Sequence, residues 1–207
     1  MRSLLIALFL PVAAWADGDR AGVFDYYVMA LSWSPNWCER EGGGSPQCAP
    51  ERDLGWILHG LWPQHEVGWP RDCHTNARNP SRADTAAMAD IMGTSGLARH
   101  QWNKHGRCSG LSSNDYFALS REAYGRVERP DVFRRLGDTV KLPARVVEEA
   151  FLEANPALSA DMLTVTCKNR QIQEVRICLT RDLAPRRCGR DVRRDCTQSD
   201  ALFHPIP

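Results

Sequence analysis

Eight cysteines, at positions 38, 48, 73, 108, 167, 178, 188 and 196, constrain what this chain can fold into more than any other feature. An even number of cysteines behind an export signal reads as a set of disulfides, formed where the surroundings are oxidising. Eight cysteines allow 105 pairings, and the sequence alone does not choose among them. No Cys-x-x-Cys pair occurs, so a structural zinc site is not indicated. A domain of this length buries about 70% of its unfolded surface, so the cross-links reinforce a core and do not replace one.

The export signal is the N-terminus. Arg2 is the only charge in residues 1–16, Leu4–Leu10 is apolar, and Ala14-Trp15-Ala16 supplies a small-x-small cleavage pattern. That is the layout of a signal peptide. The competing reading, a buried N-terminal helix, meets Asp17-Gly18-Asp19, which breaks it at once. Residues 17–207 are then a single secreted or periplasmic domain. No later stretch approaches the roughly 18 apolar residues of a membrane span. Without Arg2 the 26 Lys and Arg become 25, equal to the 25 Asp and Glu. A near-neutral chain has no global field for an anionic partner, so any nucleic-acid binding rests on a local site. Arg176–Arg194 holds seven arginines against two aspartates and reads either as a basic flank or as a solvated surface loop.

Period-two alternation predicts strands at Phe24–Trp33, Trp56–His59, Leu163–Lys168 and Gln171–Leu179, the last two joined by a turn at Asn169-Arg170. Gly60 and Pro63 are expected to stop the second strand. Helices are predicted over Ala83–Met92, Leu97–Lys104, Asp115–Arg126 with Asn114 as cap, Pro130–Leu136 and Pro143–Ala154. Cys38 and Cys48 can close the Gly/Pro loop between them. Strands at both ends and helices between predict an α+β domain with a central antiparallel β-sheet flanked by helices.

Two segments carry chemistry. In Trp56-Ile57-Leu58-His59-Gly60-Leu61-Trp62-Pro63, a histidine ends a buried strand, with Ile57 and His59 on one face and Trp56 and Leu58 on the other. Alone, His59 reads more readily as a hydrogen-bonded structural histidine than as a catalytic one. In His100-Gln101-Trp102-Asn103-Lys104-His105-Gly106-Arg107-Cys108, a helical wheel puts His100, Gln101, Lys104 and His105 on one arc, with Gly106 ending the helix. Two histidines, a lysine and an amide suit a phosphate: a fixed charge, a donor, and two groups that exchange protons near neutrality. The alternative is a solvated polar face. The two histidines are five apart with no carboxylate between, unlike a zincin helix. No Gly-x-Ser-x-Gly is present.

Together the two segments resemble the active-site signatures of the ribonuclease T2 family, His-Gly-Leu-Trp-Pro and His-Glu-Trp-x-Lys-His-Gly-x-Cys. Phe24–Tyr27 leading to Trp33-Ser34-Pro35 resembles the family's first core strand, and Glu174–Leu179 its late strand. The resemblance implies an endoribonuclease acting on single-stranded RNA, without metal or cofactor, through a 2′,3′-cyclic phosphate to a 3′-phosphate. DNA, lacking the 2′-hydroxyl, is not cleaved. His59 and His105 would be the acid and base, with His105 favoured as base; His100 and Lys104 would hold the phosphate, and Trp62 would stack on a base. It implies a Cys73–Cys108 bond; apart from the resemblance, Cys38–Cys48 is expected as a local clip and Cys167–Cys196 and Cys178–Cys188 as nested pairs. A monomer is expected. Gln101 stands where the signature has glutamate, and Gln64 where many members have aspartate. Gln101 still counts among the catalytic candidates as a donor, but it carries no charge. Two other readings stand beside this one: an RNA-binding homologue whose turnover Gln101 impairs, and a secreted disulfide-rich binding or inhibitor protein with no RNA role.

Overall fold

The structure, a computed structural model, describes residues 18–207, so the signal-peptide reading of 1–16 lies outside the described residues. In chain order the elements are β1 (Tyr26–Trp33), α1 (Ser34–Arg40), β2 (Trp56–Gln64), α2 (Arg82–Ala87), α3 (Ala89–Met92) and α4 (Ser95–Lys104). They continue with α5 (Ser113–Gly125), β3 (Val140–Leu142), α6 (Ala144–Ala154), β4 (Leu163–Lys168), β5 (Gln171–Leu179) and β6 (Ala201–Phe203). The architecture is α+β. Strands β2, β1, β5 and β4 are joined antiparallel, while β6 meets β5 in parallel at Gln171 and carries β3 beyond it, so the sheet is mixed and not purely antiparallel. No helix among the described residues is long and apolar enough to cross a membrane.

The hairpin β4–β5 has the predicted bounds because its two-residue turn needs left-handed backbone at both positions, and Asn169 and Arg170 adopt it, at φ 52° and 63°. Elsewhere tertiary contacts override local signals. β2 runs on through Gly60 and Pro63 to Gln64. It lies at a sheet edge, paired only to β1, where a proline withholds no ladder bond from an outer neighbour. Tyrosines of α5 cover that edge: Tyr116 donates to the Leu61 carbonyl at 2.9 Å and Tyr124 to that of Trp56 at 2.8 Å. The cap of α5 is Ser112, whose hydroxyl accepts from Asp115 N, and not Asn114. The predicted helix 83–92 is two short helices meeting at Met88, and Asp131–Arg135 is a 3-10 turn. α1, β3 and β6 are additions the sequence pattern did not announce.

One face of the sheet packs Trp33, Trp56, Leu58 and Leu61 against Met92, Trp102, Tyr116 and Phe151 of the helices. The other carries a small cluster of Tyr26, Val28, Cys178, Cys188 and Val192, with Trp62 beside it. All eight cysteines are paired, as 38–48, 73–108, 167–196 and 178–188. Chain-entropy arguments make the wider loops worth more. Cys73→Ser with Cys108→Ser, which opens a separation of 35 residues, should cost about 3–4 kcal/mol in urea unfolding, against about 2–3 for Cys38→Ser with Cys48→Ser, which opens one of 10. Equal losses would show that local strain, not loop closure, sets their value.

Candidate active site

Along an unbroken strand, residues three apart point to opposite faces. His59 and Trp62 nevertheless share one. The ladder pairs Ala30 with Gly60 but Leu31 with Leu58, so His59 is the extra residue of a β-bulge. Leu58 and Leu61 both reach the core, and His59 and Trp62 both project to the opposite side. Gly60 makes the crossing possible: a Cβ there would lie 2.3 Å from both Gln101 Oε1 and Trp62 Nε1.

On the same face β5 presents Glu174 and Arg176, in register with Ser32 and Ala30 of β1. β2 and β5 are separated by β1, roughly 10 Å apart at the usual strand spacing. Side chains can meet over β1 only where its own are small, and Ala30 and Ser32 are. Glu174 is buried, and its Oε1 bonds His59 Nδ1 across this gap. Its Oε2 accepts from Arg176 Nε at 2.8 Å and lies 2.7 Å from Nη2. Burial works against the charge, but the hydrogen bonds and positive charge of His59 and Arg176 outweigh it and hold the Glu174 carboxyl below its ordinary range.

The second motif arrives on α4, which Thr94 caps by accepting from Leu97 N at 3.1 Å. The helix ends at Lys104, one residue before His105, whose backbone leaves the helical region at φ −129°. Gly106 therefore does not terminate the helix; it lets the following turn pack on Trp102 and Tyr116, where a Cβ would meet ring atoms at 2.7–2.9 Å. Turned off the helix, His105 stacks on Trp62, ring centroids 5.1 Å apart and planes at 27°. His59 meets the same indole edge-on at 5.4 Å. Gln101 is buried and accepts from Trp62 Nε1 at 2.7 Å. Burial, and then the like charges of His59, Lys104 and His100, push His105 down to about 3, with Glu174 opposing weakly.

The chain as a whole has known relatives. The ribonuclease T2 family profile matches residues 24–188. The chain belongs to the ribonuclease T2 family. A ribonuclease of Aeromonas hydrophila is 39% identical over 136 residues, 63% of this chain and 61% of that protein. A probable ribonuclease of Haemophilus influenzae is 34% identical over 121 residues, 52% of this chain and 44% of that protein. The matches thus span about half to three fifths of these relatives. An RNase-related protein from Calystegia sepium shares the fold at 19% identity, with a TM-score of 0.66 over 89% of this chain and 97% of that one.

Within this T2 fold the expected single arc of α4 is divided. His100 lines a cavity of about 480 Å³ with His59, Glu174 and Ile57. Lys104 and His105 line another of about 560 Å³ with Trp62, Arg176, Trp69 and Arg71. Gln101 lines neither cavity, and its oxygen is committed to Trp62. Trp62 is less open than a stacking platform would be: His105 covers it, and the Arg176 guanidinium lies 5.3 Å from its centroid. Trp69, 44% exposed with Arg71 at 4.7 Å, is the freer indole. Glu174, Arg176 and Trp69 were not singled out from sequence. The alternation of β5 could have placed the first two beside Cys178 on one face, but nothing local marks the strand opposite. Gly60→Ala should cost about 1–3 kcal/mol by overpacking and alter the near-ultraviolet circular dichroism of Trp62. An unchanged spectrum and melting temperature would mean that the Trp62–Gln101 contact is not held by Gly60.

Proposed function

We propose that this chain is a secreted or periplasmic endoribonuclease that cleaves single-stranded RNA by transesterification, with His105 as base and His59 as acid. The observation that carries this reading is the electrostatic contrast between two histidines held on one indole. His59 is hydrogen-bonded through Nδ1 to the buried Glu174 carboxylate, while His105 has no carboxylate partner and is buried, with positive groups beside it, which favours its neutral form. Family membership supports the reaction class, and the four disulfides support an oxidising destination.

In this reaction His105 takes the proton of the ribose 2′-hydroxyl as its oxygen bonds to phosphorus. His59 protonates the departing 5′-oxygen as the P–O bond breaks. The resulting 2′,3′-cyclic phosphate is then opened by water with the roles reversed, giving a 3′-phosphate. His100 on one side and Lys104 on the other would flank the phosphoryl group and steady its charge. Gln101 would act by fixing Trp62, and Trp62 by holding both imidazoles, with Trp69 as the open face for a base. DNA offers no attacking hydroxyl.

Secretion of the mature chain and a zymogram on RNA in EDTA test the reading directly: a cleared band is expected, and DNA should be spared. A protein that binds RNA without clearing it would favour the impaired homologue instead. His59→Ala and His105→Ala should each lower kcat at least about 100-fold with folding intact; retention of more than about a tenth would remove the residue from proton transfer.

The acid limb of kcat/KM gives a separate check. A base pushed down to about 3 stays neutral in the free enzyme through mild acid. Activity should therefore persist well below the value of about 6.5 usual for histidine. A free-enzyme acid limb near that value would contradict His105 as base.

A further inference from the structure

The mechanism above assigns no role in the reaction to one buried charged group. Glu174 sits with its side chain only 2% exposed, between two partners that are each 31% exposed and reach the cleft. A buried carboxylate is costly unless its oxygens are met. Here the two oxygens divide their work, Oε1 to His59 and Oε2 to Arg176. An ion pair that served only packing would close upon itself. This one runs Arg176–Glu174–His59 and ends on an imidazole that lines a cavity.

The consequence lies in the imidazole's two nitrogens. An ionised carboxylate only accepts hydrogen bonds, so Nδ1 must donate. The neutral ring is thereby restricted to the tautomer whose Nε2 carries the lone pair, and the protonated ring presents Nε2–H. Resting on the reading of His59 as the acid, we propose that Glu174 is its positioning residue: it grips Nδ1 so that Nε2 alone meets the leaving oxygen. Arg176 keeps Glu174 ionised after the proton has gone. When His59 gives its Nε2 proton to the 5′-oxygen, Nδ1–H remains on Glu174, and the Oε2 bond to Arg176 gives the carboxylate no reason to take that proton back.

Two measurements test this on the full chain. Nitrogen-15 spectra of the imidazoles, assigned with His59→Ala, read the tautomer without any substrate. Neutral His59 should be protonated at Nδ1 in the wild type and in Glu174→Gln turned with its amide oxygen inward, and should shift to the Nε2-protonated form in Glu174→Ala. The same tautomer in Glu174→Ala as in the wild type would overturn the proposal. The second measurement varies the leaving group. Glu174→Ala, which releases Nδ1, should lower kcat on a dinucleoside monophosphate about 10- to 100-fold, the size of loss seen when the group that orients a functional imidazole is removed. On uridine 3′-(4-nitrophenyl phosphate), whose leaving group departs without a proton, the loss should shrink to about threefold or less. Equal losses on both substrates would make Glu174 a merely structural residue.

If Glu174→Ala does not fold, judged by circular dichroism, Glu174→Gln with Arg176→Gln removes both charges and carries the leaving-group comparison. A wild-type chain that cleaves neither substrate would overturn the nuclease reading itself, while the tautomer spectra would still decide whether Glu174 fixes His59.

Discussion

Between Ala30 and Leu31 the ladder from β1 to β2 slips by one residue, and His59 is the residue left without a partner. Because strand side chains alternate strictly, that slip changes the face of everything after it. Upstream, Trp56 and Leu58 face the helices; downstream, Leu61 does too, so the core continues while Trp62 joins His59 on the opposite face. Without the extra residue, the strand could bury its leucines or assemble its site, but not both. A bulge at an edge strand is tolerated because only one neighbour must accommodate it, and the tyrosines of α5 satisfy carbonyls on the far side.

The cleft works by asymmetry built from burial and charge. Trp62 gives the two histidines a common wall, yet their surroundings differ. β5 offers His59 a carboxylate, whereas His105 is desolvated by burial and has His59 of β2 and Lys104 and His100 of α4 as its nearest positive groups. The termination of α4 at Lys104 contributes, since a helical His105 would stay on the cylinder with His100 and would not lie flat on the indole. Gln101 fits the same logic. A neutral amide accepts from Trp62 without placing a negative charge beside His105, which would favour the protonated ring and disturb the contrast.

The legible parts of the sequence were those settled by neighbours in the chain. The β4–β5 hairpin was readable because alternation and its turn residues agree, and the two histidine motifs because their order is specific. α4 was readable nearly to its ends. What escaped depends on contacts between distant segments. Pro63 looked like a stop signal because nothing local says that β2 is an edge strand. The bulge is a property of register, visible only when β1 is laid alongside. Glu174 lies 115 residues from His59, and Trp62 seemed an open platform because its cover, His105 and Arg176, comes from two other elements. The helical wheel grouped His100 with His105 because it assumed a helix one residue longer than the one that forms.

The floor of the site is made by residues with no chemistry to offer. Ala30 and Ser32 matter for what they leave empty. Valine or threonine at either position would suit a central strand better by conformational preference, but Ala30 is fully buried and larger side chains there would overpack. The added methyl groups would stand in the space where His59 and Glu174 join hands over β1. Strand preference and the His59–Glu174 contact thus pull in opposite directions on the middle strand, and a redesign guided by strand preference alone would be drawn toward the substitutions that crowd that contact.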